Sequence, residues 1–166
     1  MKKILAVIIT VLTVALTTAL SGCSAALSEE EYFDKLMENY SAYGSNIVLI
    51  STGFGELTND PSADTDWSEF ETAIAEAKSS LEKIEKLSPP PIYSAQHRDI
   101  CEKMQAEKDW CDAAEQIIND RGFTDDSENS LVAAGNESKF HTTILNLVIQ
   151  MRKDGVGDST ISKYNQ

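Results

Sequence analysis

The chain has 166 residues, with 14 Lys and Arg set against 27 Asp and Glu, for a formal net charge of −13 at pH 7. That length is one domain's worth, enough to bury a real core. The acidic balance argues against nucleic acid as a partner, because phosphates would be repelled.

The first element is an apolar segment. Lys2 and Lys3 supply a charged start, Ile4 to Leu20 a greasy run, and Leu20-Ser21-Gly22-Cys23 closes it with small residues before a cysteine. This is the order of a secretory signal. A spanning helix is the competing reading. The 17 residues from Ile4 to Leu20 sit at the lower edge of the length it needs, and four threonines make the run less greasy than an anchor.

Four segments then carry a helical period, and none alternates like a strand. Ser28-Glu29-Glu30-Glu31 is a capping-box pattern. It opens a helix whose inward side reads Phe33, Leu36, Tyr40, Tyr43, Ile47, Ile50, Phe54 and Leu57, with Gly53 and Gly55 weakening its end. A loop follows around Asn59-Asp60-Pro61, and Asp66 with Glu69 caps the second helix. That seam is the cleanest: Trp67, Phe70, Ile74, Ala77, Leu81 and Ile84. Pro89-Pro90-Pro91 ends it, since proline lacks the N–H and restricts the residue before it.

The third helix is expected from about Ile92 to Asp120, with Ile100, Met104, Cys111, Ala114, Ile117 and Ile118 on one side. Glu107 and Lys108 interrupt that seam. They are expected at its edge, stems along apolar surface; the competing reading puts one in the core as a registry-setting polar residue. The fourth helix is expected as a single run from about Asp126 to Lys153, burying Leu131, Ala134, Phe140, Ile144, Leu145, Val148 and Met151. Gly135 weakens it by about 1 kcal/mol against alanine. From Asp154 the chain reads as a loose tail. The expected architecture is therefore an all-α, antiparallel up-down-up-down four-helix bundle over residues 28–153, with a flexible tail at 154–166.

The segment ending in Leu20-Ser21-Gly22-Cys23 resembles the lipobox of bacterial lipoproteins. The resemblance implies cleavage between Gly22 and Cys23 and lipidation of the Cys23 thiol. Residues 1–22 would then be a lipoprotein signal peptide, and 23–27 a lipidated cysteine and short tether on the extracytoplasmic face of a membrane. Removing 1–22 leaves 12 Lys and Arg against all 27 acids, a charge of −15. The chain also resembles the small helical lipoproteins of bacterial cell surfaces. That likeness rests on the hairpin joined by Lys86-Leu87-Ser88-Pro89-Pro90-Pro91-Ile92-Tyr93 and continuing to His97, and it implies no chemistry.

Candidate sites are few. Asp60, Asp64, Asp66 and Glu69 do not make an EF-hand loop, because counting from Asp64 its sixth and twelfth positions hold Glu69 and Ala75. Cys101 and Cys111 lie about 15 Å apart on one helix, too far for a disulfide, and are expected as buried small hydrophobes. Met104, His141 and Cys101 form a soft ligand set suited to copper or haem iron. Levels along an antiparallel pair would put His141 opposite about residue 105, beside Met104, and leave His97 about 12 Å further along. No catalytic motif, phosphate loop or cofactor motif occurs. The expectation is a non-enzymatic, cofactor-free interaction domain. It would present an acidic helical face to an envelope protein or cationic peptide. The alternative is a metal- or haem-binding bundle.

Overall fold

Ser28 begins the folded part as its sequence suggests. Its hydroxyl accepts from the Glu31 N–H at 3.2 Å, while the Glu31 carboxylate accepts from the Ser28 N–H at 3.1 Å. Two donors that a helix start leaves orphaned are thereby satisfied. From there α1 runs over Glu29–Asn59. The computed structural model describes residues 25–60 and 65–157. Leu20 to Cys23, and with them the cleavage and lipidation readings, lie outside the described residues.

The described chain is all-helical, bundle-like and without strand. After α1 come α2 (Trp67–Glu85), a 3-10 turn (Pro91–Tyr93), α3 (Ser94–Asp120), α4 (Asp125–Glu137) and α5 (Phe140–Lys153). Asp66 caps α2, accepting from the Ser68 and Glu69 N–H groups at 3.1 and 3.4 Å. Thr124 and Ser127 make a second capping box at the start of α4. None of the described helices is long and apolar enough to cross a membrane.

Most of the predicted seam residues are buried. Phe33, Leu36, Tyr43, Ile50 and Phe54 of α1 enter the core, joined by Tyr32; Tyr40, Ile47 and Leu57 pack half-buried against its margin. All of α2's seam is buried except Trp67, which is half-buried. Gly53 has a packing reason: a methyl group there would overlap the Phe70 ring, so its hydrogen lets α2 close on α1. Ion pairs then lace α2 to α3: Glu71 with Arg121 at 2.5 Å, Lys78 with Glu115 at 2.6 Å, and Glu85 with Lys108 at 2.8 Å.

Three expectations need correction. The fourth helix is two helices. Ser138 takes an extended backbone, φ −66° and ψ 124°, and α5 restarts at Phe140 with no side-chain cap. Gly135 lowers helix propensity just before the break, and the Ser138 hydroxyl is spent on Glu107. Within α5 the stripe Phe140, Ile144, Val148 and Met151 is buried as expected, but Leu147 completes it, and Leu145 is about half exposed. Second, Glu107 lies in the core, 5% exposed, while Lys108 takes the edge.

Third, the first residues of the tail are packed. The Tyr93 hydroxyl donates to Asp154 at 3.1 Å, Val156 is buried, and the Gly157 N–H donates to the Glu30 carboxylate at 3.0 and 3.1 Å. Gly157 sits at φ 87°, and a side chain there would press on the Phe33 ring, so glycine is required twice over. At the same end, the Leu27 N–H donates to the Ser88 carbonyl at 2.9 Å.

Candidate functional site

The seam of α3 is a strict alternation of three and four: His97, Ile100, Met104, Glu107, Cys111, Ala114 and Ile118, all buried. Two of these are polar, and each builds a hydrogen-bonded centre against α1. A helical stripe places a side chain in the core by position, whatever its chemistry. A buried polar group must then find partners or destabilise the fold.

Glu107 is the richer centre. One carboxylate oxygen accepts from the Tyr43 hydroxyl of α1, the other from the Ser138 hydroxyl at the α4–α5 break. His141, at the start of α5, brings Nε2 to 3.9 Å from that second oxygen. Its Nδ1 pairs with the Tyr40 hydroxyl at 3.0 Å. Phe140 seals the group, edge-on to Tyr43 at 5.8 Å and to Tyr40 at 6.2 Å. Burial pushes the Tyr43 hydroxyl well above its ordinary range, and the neighbouring Glu107 charge pushes further. Tyr40 is raised by the same two causes.

His97 makes the second centre. Its Nδ1 pairs with the Tyr32 hydroxyl at 2.9 Å, and its ring also bonds the backbone of Glu85. A carbonyl only accepts, so the neutral ring spends its N–H on Glu85 and Nδ1 accepts from Tyr32. Burial lowers the pKa of His97 and keeps it neutral at pH 7. The Cys101 Sγ lies 3.6 Å from His97 Nε2. Burial raises the thiol pKa of Cys101, and in Cys111 it lifts it to about 12. These are thiols, the less nucleophilic form. Both are free, as the spacing requires, but Cys101 is only half-buried.

The three soft ligands do not converge. Met104 is sealed in the core with no exposure, Cys101 pairs with His97, and His141 is half-exposed on Tyr40. His141 stands level with Glu107, about two residues beyond the position expected for it. Among the described residues, no group of three or more His, Cys, Asp or Glu is placed to hold a metal ion. The acidic loop is likewise spent on capping at Asp66, and Asp64 lies outside the described residues.

Glu107 and Tyr43 are the site residues that sequence reasoning misplaced or undervalued. The signal for Glu107 was present in the three-four spacing of α3. Ser138 carried no comparable signal, because its role depends on a helix break. Comparison with protein-family models, with curated proteins and with solved structures finds no match.

Proposed function

We propose that this chain is a lipid-anchored extracytoplasmic domain that binds a protein or peptide partner without catalysing a reaction on it. The anchor reading rests on Leu20-Ser21-Gly22-Cys23, and its site is Cys23. The short tether leads directly into Ser28 and α1. The bundle is read as up-down-up-down, with α4 and α5 together forming the fourth rod. Paired residues favour this order. From Glu71 to Glu85 along α2, the α3 partners fall from Arg121 to Lys108. From Tyr32 to Tyr43 along α1, they rise from His97 to Glu107.

The observation that carries the binding reading is the face of α5. In a chain with 27 acids, Phe140–Lys153 contains none and ends in Arg152 and Lys153. It also leaves Leu145 and Ile149, one turn apart, about half exposed. Elsewhere the acidic surface keeps the molecule solvated and repels other acidic proteins. At α5 a partner meets apolar surface on a helix with no acidic residue of its own, which favours an amphipathic segment laid along it.

Two measurements test the reading. Cys23→Ala should move the protein from the membrane fraction to the soluble one; retention in the membrane would remove the anchor. A photo-crosslinking residue at Leu145 should give a discrete adduct in intact cells that the same group at exposed Glu102 does not. Equal labelling at both positions would remove α5 as the docking face.

A further inference from the structure

The end of the bundle away from Leu27 and Gly157 holds a cavity of about 420 Å³, walled by Trp67, Phe123, Arg121, Glu128, Leu57 and Thr58. That is within the usual range for a small-molecule site. One residue of its lining is an unusual choice for its backbone position. α3 ends in a Schellman turn, with the Gly122 N–H donating to the Ile117 carbonyl at 3.1 Å and the Arg121 N–H to Ile118 at 3.3 Å. The left-handed position of such a turn usually belongs to glycine. Here Arg121 occupies it at φ 55°, the one non-glycine residue with positive φ among those described, and the glycine follows at 122.

The Arg121 guanidinium, on the cavity lining, is held by two neighbours. Nη2 of Arg121 meets Glu71 at 2.5 Å, and the group stands 5.6 Å over the Trp67 ring. Five N–H donors in a planar fork leave capacity beyond that single ion pair, with a geometry that suits a carboxylate. The two aromatic walls are equally fixed. Trp67 meets Phe70 edge-on at 5.9 Å, and Phe123 meets Phe54 at 5.3 Å. Glu128, in the first turn of α4, adds a carboxylate to the same lining. The Thr58 hydroxyl is already committed to the Phe54 carbonyl at 2.9 Å.

We propose that this cavity binds a small zwitterion with an apolar body, of the free α-amino-acid type. Its carboxylate takes the Arg121 fork, its ammonium faces Glu128, and its side chain lies between Trp67 and Phe123. Net charge selects this class. A simple anion is repelled by a chain of −13, whereas a zwitterion carries no net charge and uses both polar walls. The inference goes beyond the docking face on α5, which lies elsewhere, and does not depend on the anchor.

The test is calorimetric titration of the full-length chain in detergent with L-phenylalanine, L-leucine and L-tryptophan. Phenethylamine, which lacks the carboxylate, and 3-phenylpropionate, which lacks the amine, are the controls. At least one amino acid should bind saturably at one site. Both controls should bind L-phenylalanine's site about tenfold more weakly or worse, a difference of about 1.4 kcal/mol. Arg121→Gly suits the backbone and should keep the circular-dichroism spectrum while losing amino-acid binding about tenfold or more. Glu128→Gln should weaken the amino acids and should not weaken 3-phenylpropionate, which loses a like charge from its surroundings. The proposal is overturned if none of the three amino acids binds the folded protein saturably, or if folded Arg121→Gly binds as tightly as the parent.

Discussion

Tyr32 and Tyr40 stand about two turns apart on α1, and each holds the Nδ1 of a histidine, at 2.9 and 3.0 Å. The pairs look alike as drawn bonds and differ in everything around them. His97 is 6% exposed and answers to a backbone carbonyl. The His141 side chain is 47% exposed and leans toward a buried carboxylate that already accepts two hydroxyls. The first pair is a neutral bond set into a core. The second stands at the rim of an acidic centre that pins a helix break. The same two residue types therefore contribute packing in one place and a polar fastening in the other, and burial decides which.

The largest effect should come from removing the acid. Glu107→Ala deletes both buried acceptors, leaves the Tyr43 and Ser138 hydroxyls without partners, and opens a void, at a cost of about 3 kcal/mol. Urea denaturation followed by circular dichroism measures it. A loss below about 1 kcal/mol would mean that water replaces the carboxylate and that the centre contributes little to holding the fold. Next comes Tyr43→Phe, which removes one donor to a charged acceptor and keeps the ring, at about 2 kcal/mol. It should also flatten the alkaline limb. The raised pKa of Tyr43 gives stability that is complete below 10, the ordinary tyrosine value, and is lost as pH rises beyond it, because only the unfolded chain then ionises. The variant should lose less stability above that pH than the parent. Tyr32→Phe breaks the comparison from the other side. It removes a neutral bond to His97 and should cost about 1 kcal/mol. If Tyr32→Phe proved the costlier of the two, the ranking of the centres would be reversed.

The sequence made the apolar stripes legible because burial imposes a period on them. Ser28, Asp66 and the seam Phe70, Ile74, Ala77, Leu81 and Ile84 were readable from spacing and cap chemistry alone. Glu107 reads as an edge residue because a buried acid is costly without partners, and its partners come from residues 43 and 138. The α4–α5 break was hidden for a related reason. Nothing local to Asn136–Lys139 stops a helix, and the hydroxyl that holds the break bonds a residue 31 positions earlier. Asp154–Gly157 read as loose because glycine and aspartate are common in tails, but Glu30, Phe33 and Tyr93 give them contacts from distant parts of the chain. Leu145 reads as inward beside Ile144 and Val148, but the buried stripe of α5 is Phe140, Ile144, Leu147, Val148 and Met151, and Leu145 falls beyond its edge.

The smallest effect belongs to His97, the buried member of the two histidine pairs. Burial lowers the pKa of His97, so the folded protein resists a proton that the unfolded chain accepts. The stability this contributes is present above 6.5, the ordinary histidine value, and is lost as pH falls below it. His97→Gln offers a test with little change in packing, since an amide can donate to the Glu85 carbonyl and accept from Tyr32 in place of the ring. Unfolding free energies measured between neutral pH and about 5 should fall less steeply in this variant than in the parent. A slope equal to the parent's would show that protonation of the buried His97 ring is not what weakens the fold in acid.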